Sequence, residues 1–223
     1  MSDWVMRVAY AGSKGTALLQ GYERNPAIYT PGQSTTANTL ARKPFAPAFQ
    51  NITEVSSSGN SNFNSLQITL DKRFARGFSI LASYTWAKSI DYGSGAGTLW
   101  PSYSNPFNFA HERGLSDFHR AHRLVISGMW EMPRFPAQPP AVRYLAGGWS
   151  LSGVASFQTG PYYSVRSGTD RSLSGVNADR ADLVGDWSQS ARQDPNRDPV
   201  LEWFNTRAFV PAREGTFGTS GRN

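Results

Sequence analysis

Apolar and polar side chains alternate with a period of two in both halves of the segment Phe63 to Trp86. The first arm sets Leu66, Ile68 and Leu70 against Gln67, Thr69, Asp71 and Arg73. Ala75-Arg76-Gly77 turns the chain. The return arm sets Phe78, Ile80, Ala82, Tyr84 and Trp86 against Ser79, Leu81, Ser83, Thr85 and Ala87. A helix would repeat its apolar positions every three to four residues, so this spacing predicts a β-hairpin. The return arm runs about nine residues between its terminal rings, the length a tilted strand needs to cross a bilayer. Rings at both ends of an apolar stripe are placed where a membrane–water interface holds aromatics.

Similar alternation recurs elsewhere. Trp4, Met6, Val8 and Tyr10 alternate with Val5, Arg7 and Ala9, after which Gly12-Ser13-Lys14-Gly15 reads as a tight turn. Thr16–Gln20 reads as a weaker returning strand. A proline-bearing loop follows and closes through Ser56-Ser57-Ser58-Gly59-Asn60. Beyond a second long loop, residues 122–132 set Leu124, Ile126, Gly128, Trp130 and Met132 against Arg123, Val125, Ser127, Met129 and Glu131. A proline-rich connection leads to 149–157, where Trp149, Leu151, Gly153, Ala155 and Phe157 form one face. From Gly160 the chain reads mostly as polar loop. The scheme predicts an all-β, antiparallel transmembrane β-barrel segment of about six strands in three hairpins, an incomplete barrel with long outer loops. Its connections alternate short and long, as in barrels with short periplasmic turns. A soluble sandwich shares the alternation with inside and outside exchanged, so a secreted β-sandwich adhesin or carbohydrate-binding module is the alternative reading.

Composition narrows this. The 223 residues contain no apolar run near 18, and mean hydropathy is −0.45, which excludes a helical membrane protein but permits a barrel. With no cysteine there is neither a disulfide framework nor a thiolate metal site. The net charge of +6 comes from 22 Lys and Arg spread along the chain, with no run longer than Arg42-Lys43 or Lys72-Arg73. That dispersal argues against nucleic acid as a partner. The start, MSDWVMRVAY, lacks the basic start, apolar core and cleavage site of a signal peptide and enters a strand directly.

Candidate chemistry is sparse. His111, His119 and His122 invite a metal reading, but His119 and His122 are three apart, which on a strand aims them at opposite faces. Glu112, Arg113, Asp117, Arg120 and Arg123 form the densest mixed-charge cluster and read as a salt-bridged loop base that keeps its carboxylates ionised. Asp170, Asp179, Asp182, Asp186, Asp194 and Asp198 lack a calcium-loop register and alternate with Arg171, Arg180, Arg192 and Arg197, so they read as a solvated loop. Neither a serine elbow nor a phosphate loop occurs, and Gly12-Ser13-Lys14-Gly15 has the wrong spacing for the latter. We expect no catalytic, cofactor or metal residues, and no enzyme. Phe74, Phe78, Tyr10 and Trp149 are expected in a girdle beside the short connections, with Phe63, Trp86 and Phe157 near the long loops. Ligand stacking stays open for Trp100, Tyr103, Phe107 and Trp203.

An ordered set of segments resembles the TonB-dependent outer-membrane transporters of the Oar-like group. They are VAYAGSKGTALL (8–19), SSGNSNFNSLQITLDKRFARGFSILASYTWAKSID (57–91), NPFNFAHERGLSDFHRAHRLVISGMWEMP (105–133), GGWSLSGVASFQTGPYYSV (147–165), RADLVGD (180–186) and WFNTRAFVPAREGTFGTSGRN (203–223). The resemblance implies that residues 1–223 are one partial barrel domain from the later part of a 22-stranded barrel. It places a signal peptide, a regulatory-like domain, a plug and the final strands outside these residues. It further implies a cell outer-membrane location, contact with outer-membrane lipid, coupling to the TonB complex through the plug, and uptake of a bulky siderophore-like chelate or glycan.

Overall fold

The computed structural model describes residues 3–94, 103–133, 139–141, 145, 147–189, 198, 200, 202 and 204–223. Among these residues eight strands are formed: β1 (Trp4–Glu23), β2 (Thr53–Ala75), β3 (Phe78–Asp91), β4 (Gly114–Leu115), β5 (His122–Glu131), β6 (Ser150–Gln158), β7 (Asp182–Leu183) and β8 (Phe209–Val210). Six belong to one sheet of order β1-β2-β3-β5-β6, with β4 also on β3, while β7 and β8 make a separate ribbon. β3 pairs antiparallel with β5, and β5 with β6. Arg76 and Gly77, with φ of 56° and 83°, turn β2 tightly into β3, the left-handed pair that a two-residue hairpin requires. Between β1 and β2, Arg73 N–H bonds Asp3 C=O at 2.9 Å and Arg24 N–H bonds Ile52 C=O at 2.7 Å. Both pairs sum to 76 (73 + 3 and 24 + 52), the mark of antiparallel pairing in one register. The sheet is open, with β1 and β6 as its edges. No described helix is long and apolar enough to cross a membrane.

The first expected hairpin is corrected. β1 runs without a break through Gly12-Ser13-Lys14-Gly15, and β2 runs through Ser56–Asn60. Neither Gly12 nor Gly15 has a positive φ. Glycine permits a turn but does not force one, and here it permits close packing instead. A Cβ on Gly15 would meet Ser61 Oγ at 2.5 Å, and one on Gly59 would meet Gln20 Cδ at 2.7 Å. The main sheet has the expected six strands, but one long strand replaces the first expected hairpin and the two-residue β4 is the sixth; the five long strands are joined by long, short, long and moderate connections.

Two compact units divide the chain. The first comprises Met1–Lys14, Asn62–Ser89 and His119–Pro161, and the second Gly15–Ser61, Ile90–Phe118 and Tyr162–Asn223. β5 and β6, of 10 and 9 residues, lie wholly in the first unit and match the bilayer-crossing length. β1, β2 and β3 are longer, at 20, 23 and 14 residues, and leave the first unit at Lys14, Asn62 and Ser89. A strand of 20 residues spans about 68 Å, roughly twice the hydrocarbon thickness.

Register in the first unit aligns the expected faces. Phe78 opposes Trp130 and Trp130 opposes Leu151; Ala82 opposes Ile126 and Ile126 opposes Ala155; Tyr84 opposes Leu124 and Leu124 opposes Phe157. One face is thus continuously apolar, with Phe78 and Trp130 at one end and Tyr84, Trp86 and Phe157 at the other. Trp86, Trp130 and Phe157 remain 56%, 47% and 60% exposed. The opposite face aligns Ser79, Met129 and Ser152, then Leu81, Ser127 and Val154, then Thr85, Arg123 and Gln158. Asp71, Lys72, Arg73 and Phe74 of β2 line a groove with Ser79, Leu81, Ser127 and Ser152. Near the turn, Lys72 Nζ sits 4.2 Å above the Phe78 ring and bonds the carbonyls of Arg73, Ala75 and Phe78. Tyr10 lies within continuous β1 rather than beside a turn, where it donates to Asn64 Oδ1 at 2.5 Å.

The second unit is built on hydrogen bonds. Its buried apolar residues are mostly small, among them Ala27, Ala178, Ala181, Ala208 and Ala212. Asn25, fully buried, donates to Phe49 C=O and accepts from Phe45 N–H, which closes the 24–52 connection onto its own start. Such folding leaves little apolar periodicity for a sequence reading to find.

Candidate functional site

The second unit gathers an ion-pair network from segments far apart in sequence. The short 3-10 turn Phe109–Glu112 is capped by the Asn108 side chain and presents His111 and Glu112. Glu112 accepts backbone N–H bonds from Ser104 at 2.8 Å and Asn105 at 3.3 Å, and its other oxygen meets Arg180 Nη1 at 3.0 Å. Both side chains are about 95% buried. Arg180 also donates to Ser220 C=O at 2.9 Å, and to His111 C=O and His111 Nδ1 at 2.6 Å each. A guanidinium only donates, so His111 Nδ1 accepts and Nε2 carries the proton toward Gly218 C=O at 3.2 Å. Burial pushes the Glu112 carboxyl up, but the Arg180 guanidinium and the two backbone donors outweigh it and hold it below the usual range. Burial also lowers Arg180, a shift the paired carboxylate opposes.

Arg222 makes the second half of the network. Its Nη1 pairs with Asp91 at 2.6 Å, and its Nη2 with Asp117 and Ser94 at 3.1 Å each. Asn223 Nδ2 adds bonds to Asp117 Oδ1 at 2.6 Å and Leu115 C=O at 2.9 Å. Tyr103 donates its phenol to Gln20 and tilts against Phe109, and burial pushes its ionisation upward. These groups wall a polar cavity of about 430 Å³ that Tyr92, Tyr162, Tyr163 and Arg166 also line. Charged groups locked in this way stay rigid while rings and one further guanidinium face the open space. The arrangement suits holding a polar solute.

A family model described as an outer membrane beta barrel domain matches residues 1–223. The chain belongs to this family. Its location is therefore the outer membrane, and its continuous apolar face contacts membrane lipid. No curated protein and no solved structure matches the chain. The family and the single main sheet leave the sandwich alternative without support.

The expected loop-base cluster is only partly what the barrel domain uses. Glu112 and Asp117 are bridged, but by Arg180 and Arg222. Arg120 instead bonds His119 C=O, and Arg123 joins the polar face of β5. The histidines do not converge. His111 belongs to the second unit, His119 Nδ1 accepts from Ser89 N–H, and His122 Nδ1 lies 2.8 Å from the Tyr84 hydroxyl. Among the described residues no three metal-ligating side chains cluster. The expectation of a solvated Asp-rich loop is corrected at Asp179 and Asp182, 1% and 8% exposed, because backbone donors and the packed ribbon enclose them. Asp186 remains in solvent, held below its usual range by Ser188. Trp100, Arg192, Asp194, Arg197 and Trp203 lie outside the described residues. Sequence reasoning missed Arg222 and Asn223, although both end the resembling stretch 203–223. Asp91, Leu115 and Asp117, which they bond, are more than 100 residues away, and Ser164, which also bonds Asn223, is 59 away, all beyond any local pattern.

Proposed function

We propose that this domain belongs to a TonB-dependent, Oar-like receptor and transporter that takes up a bulky ligand, a metal chelate or glycan. The observation that carries this reading is the charge-locked cavity of about 430 Å³ in the second unit, within the size range of ligand sites. The fixed charges and tyrosines that line this space suit a polar ligand. The ordered resemblance of six segments supports the same reading. In it, the long connections select ligand, a plug of the whole protein gates the lumen, and the TonB complex supplies energy. The open edges β1 and β6 pair with further strands, since unpaired backbone groups in lipid cost several kcal/mol each. The domain binds and conducts, and it catalyses nothing.

The test is uptake by cells carrying or lacking the gene, offered a panel of chelates and glycans with and without a protonophore. Gene-dependent uptake that the protonophore abolishes supports the proposal. Gene-dependent passage that persists without a proton gradient identifies a passive pore and refutes it.

A further inference from the structure

Residues 170–179 fold into a tight loop in which Leu173, Gly175 and Asn177 all have positive φ. Two carboxylates accept from Ser172, one from its hydroxyl and one from its N–H. Asp170 Oδ1 accepts from Ser172 Oγ and Ser174 N–H at 3.1 Å each, and its Oδ2 accepts from Gly175 N–H at 2.8 Å. Asp179 Oδ2 accepts from Ser172 N–H at 2.6 Å. The Ser172 and Ser174 hydroxyls lie 2.9 Å apart, and both residues are buried.

Asp179 is 1% exposed, yet its Oδ1 has no hydrogen-bond partner. Burial, first, and the neighbouring Asp170 charge both push its carboxyl above the usual range. The nearby cations are engaged elsewhere: Arg42 donates to Leu173 C=O at 2.8 Å, Lys43 to Gln50 C=O at 2.6 Å, and Arg171 to Ala212 C=O at 2.7 Å. A buried carboxylate oxygen with neither donor nor counter-charge is costly. Protonation would remove the charge but leave an O–H equally without a partner. Water would satisfy the bond and leave the charge. A cation satisfies both.

We propose that Asp179 and Asp170 hold a calcium ion in this loop, with the Ser172 and Ser174 hydroxyls and water completing its oxygen shell. Hard oxygen donors in irregular array suit calcium, which tolerates flexible geometry, better than magnesium, which demands an octahedron. With two carboxylates the site is weak, with an expected dissociation constant of about 10⁻⁴ to 10⁻³ M, as in extracellular calcium modules. The ion would hold together a loop whose backbone passes directly into Arg180 and its ion pair with Glu112.

The probe is terbium luminescence on the full chain folded in detergent, displaced by calcium and, as a control, by magnesium. Wild type should show calcium-displaceable signal, and Asp179→Asn should weaken calcium at least about tenfold. Asp186→Asn, at an exposed carboxylate outside the loop, should leave it unchanged. A second readout needs no variant: at neutral pH, calcium over chelator should slow proteolysis of the wild-type loop. No calcium response up to about 10 mM, well above the expected range, overturns the proposal. So does calcium binding by a folded Asp179→Asn chain that equals wild type. Loop stability that falls as pH rises, regardless of calcium, also overturns it and assigns Asp179 a bound proton instead.

Discussion

Replacing Arg180 with alanine removes the centre of the ion-pair network. Four acceptors lose their donor: Glu112, the carbonyls of Ser220 and His111, and His111 Nδ1. Breaking one side of a buried pair costs about 3–5 kcal/mol, because the surviving charge stays desolvated. Glu112 retains two backbone N–H donors, which places the expected cost near the lower end, about 3 kcal/mol. That raises the open population of the second unit on the order of 100-fold. Pulse proteolysis of folded barrel in detergent reads that population directly. Removing the carboxylate as well, in Arg180→Ala/Glu112→Gln, should recover a large part of the loss. If the single variant digests like wild type, or the double variant is worse by the full sum of the singles, the pair is not the structural hub argued for.

Ile126→Arg should impair barrel assembly by about 2–4 kcal/mol at mid-bilayer, whereas Val125→Arg, one residue away on the polar face, should be mild. Heat-modifiable gel mobility distinguishes them. Gly218→Ala should destabilise the second unit far more than Gly168→Ala. Both have φ near +80°, but only at Gly218 would a Cβ come within 2.0 Å of Arg180 C=O; comparative proteolysis shows the difference. Acid should also loosen this unit. Glu112 is held below its unfolded value, so its contribution is present above that value and is lost as pH falls through the lower folded one. Pepsin sensitivity should therefore climb as pH drops below about 4, and less so in Glu112→Gln.

The membrane-facing half of the fold was legible because lipid and lumen impose opposite chemistry on alternate residues. The stripes of β3, β5 and β6 could be read residue by residue, and their register joins them into two faces. In the run 12–15 the pattern suggests conformational freedom, but in the fold Gly15 supplies room for Ser61. The second unit was legible only in fragments. Its interior is alanine, serine and buried charge, and its decisive contacts link Glu112 to Arg180 and Asp91 to Arg222. Local spacing carries no information about such pairs. The loop base is salt-bridged at Glu112 and Asp117 as the charge cluster predicts, but through the distant Arg180 and Arg222 rather than the neighbouring arginines.

Alternate residues of β5 face lipid and an aqueous lumen. With no native cysteine, single cysteines from Arg123 to Trp130 can each carry a nitroxide without background. Relaxation by oxygen, which partitions into lipid, and by a water-soluble nickel chelate should then be measured at every position in bilayers. Positions 124, 126, 128 and 130 should favour oxygen, and 123, 125, 127 and 129 the chelate. Reversed phase, or no two-residue period, would contradict the membrane-spanning assignment.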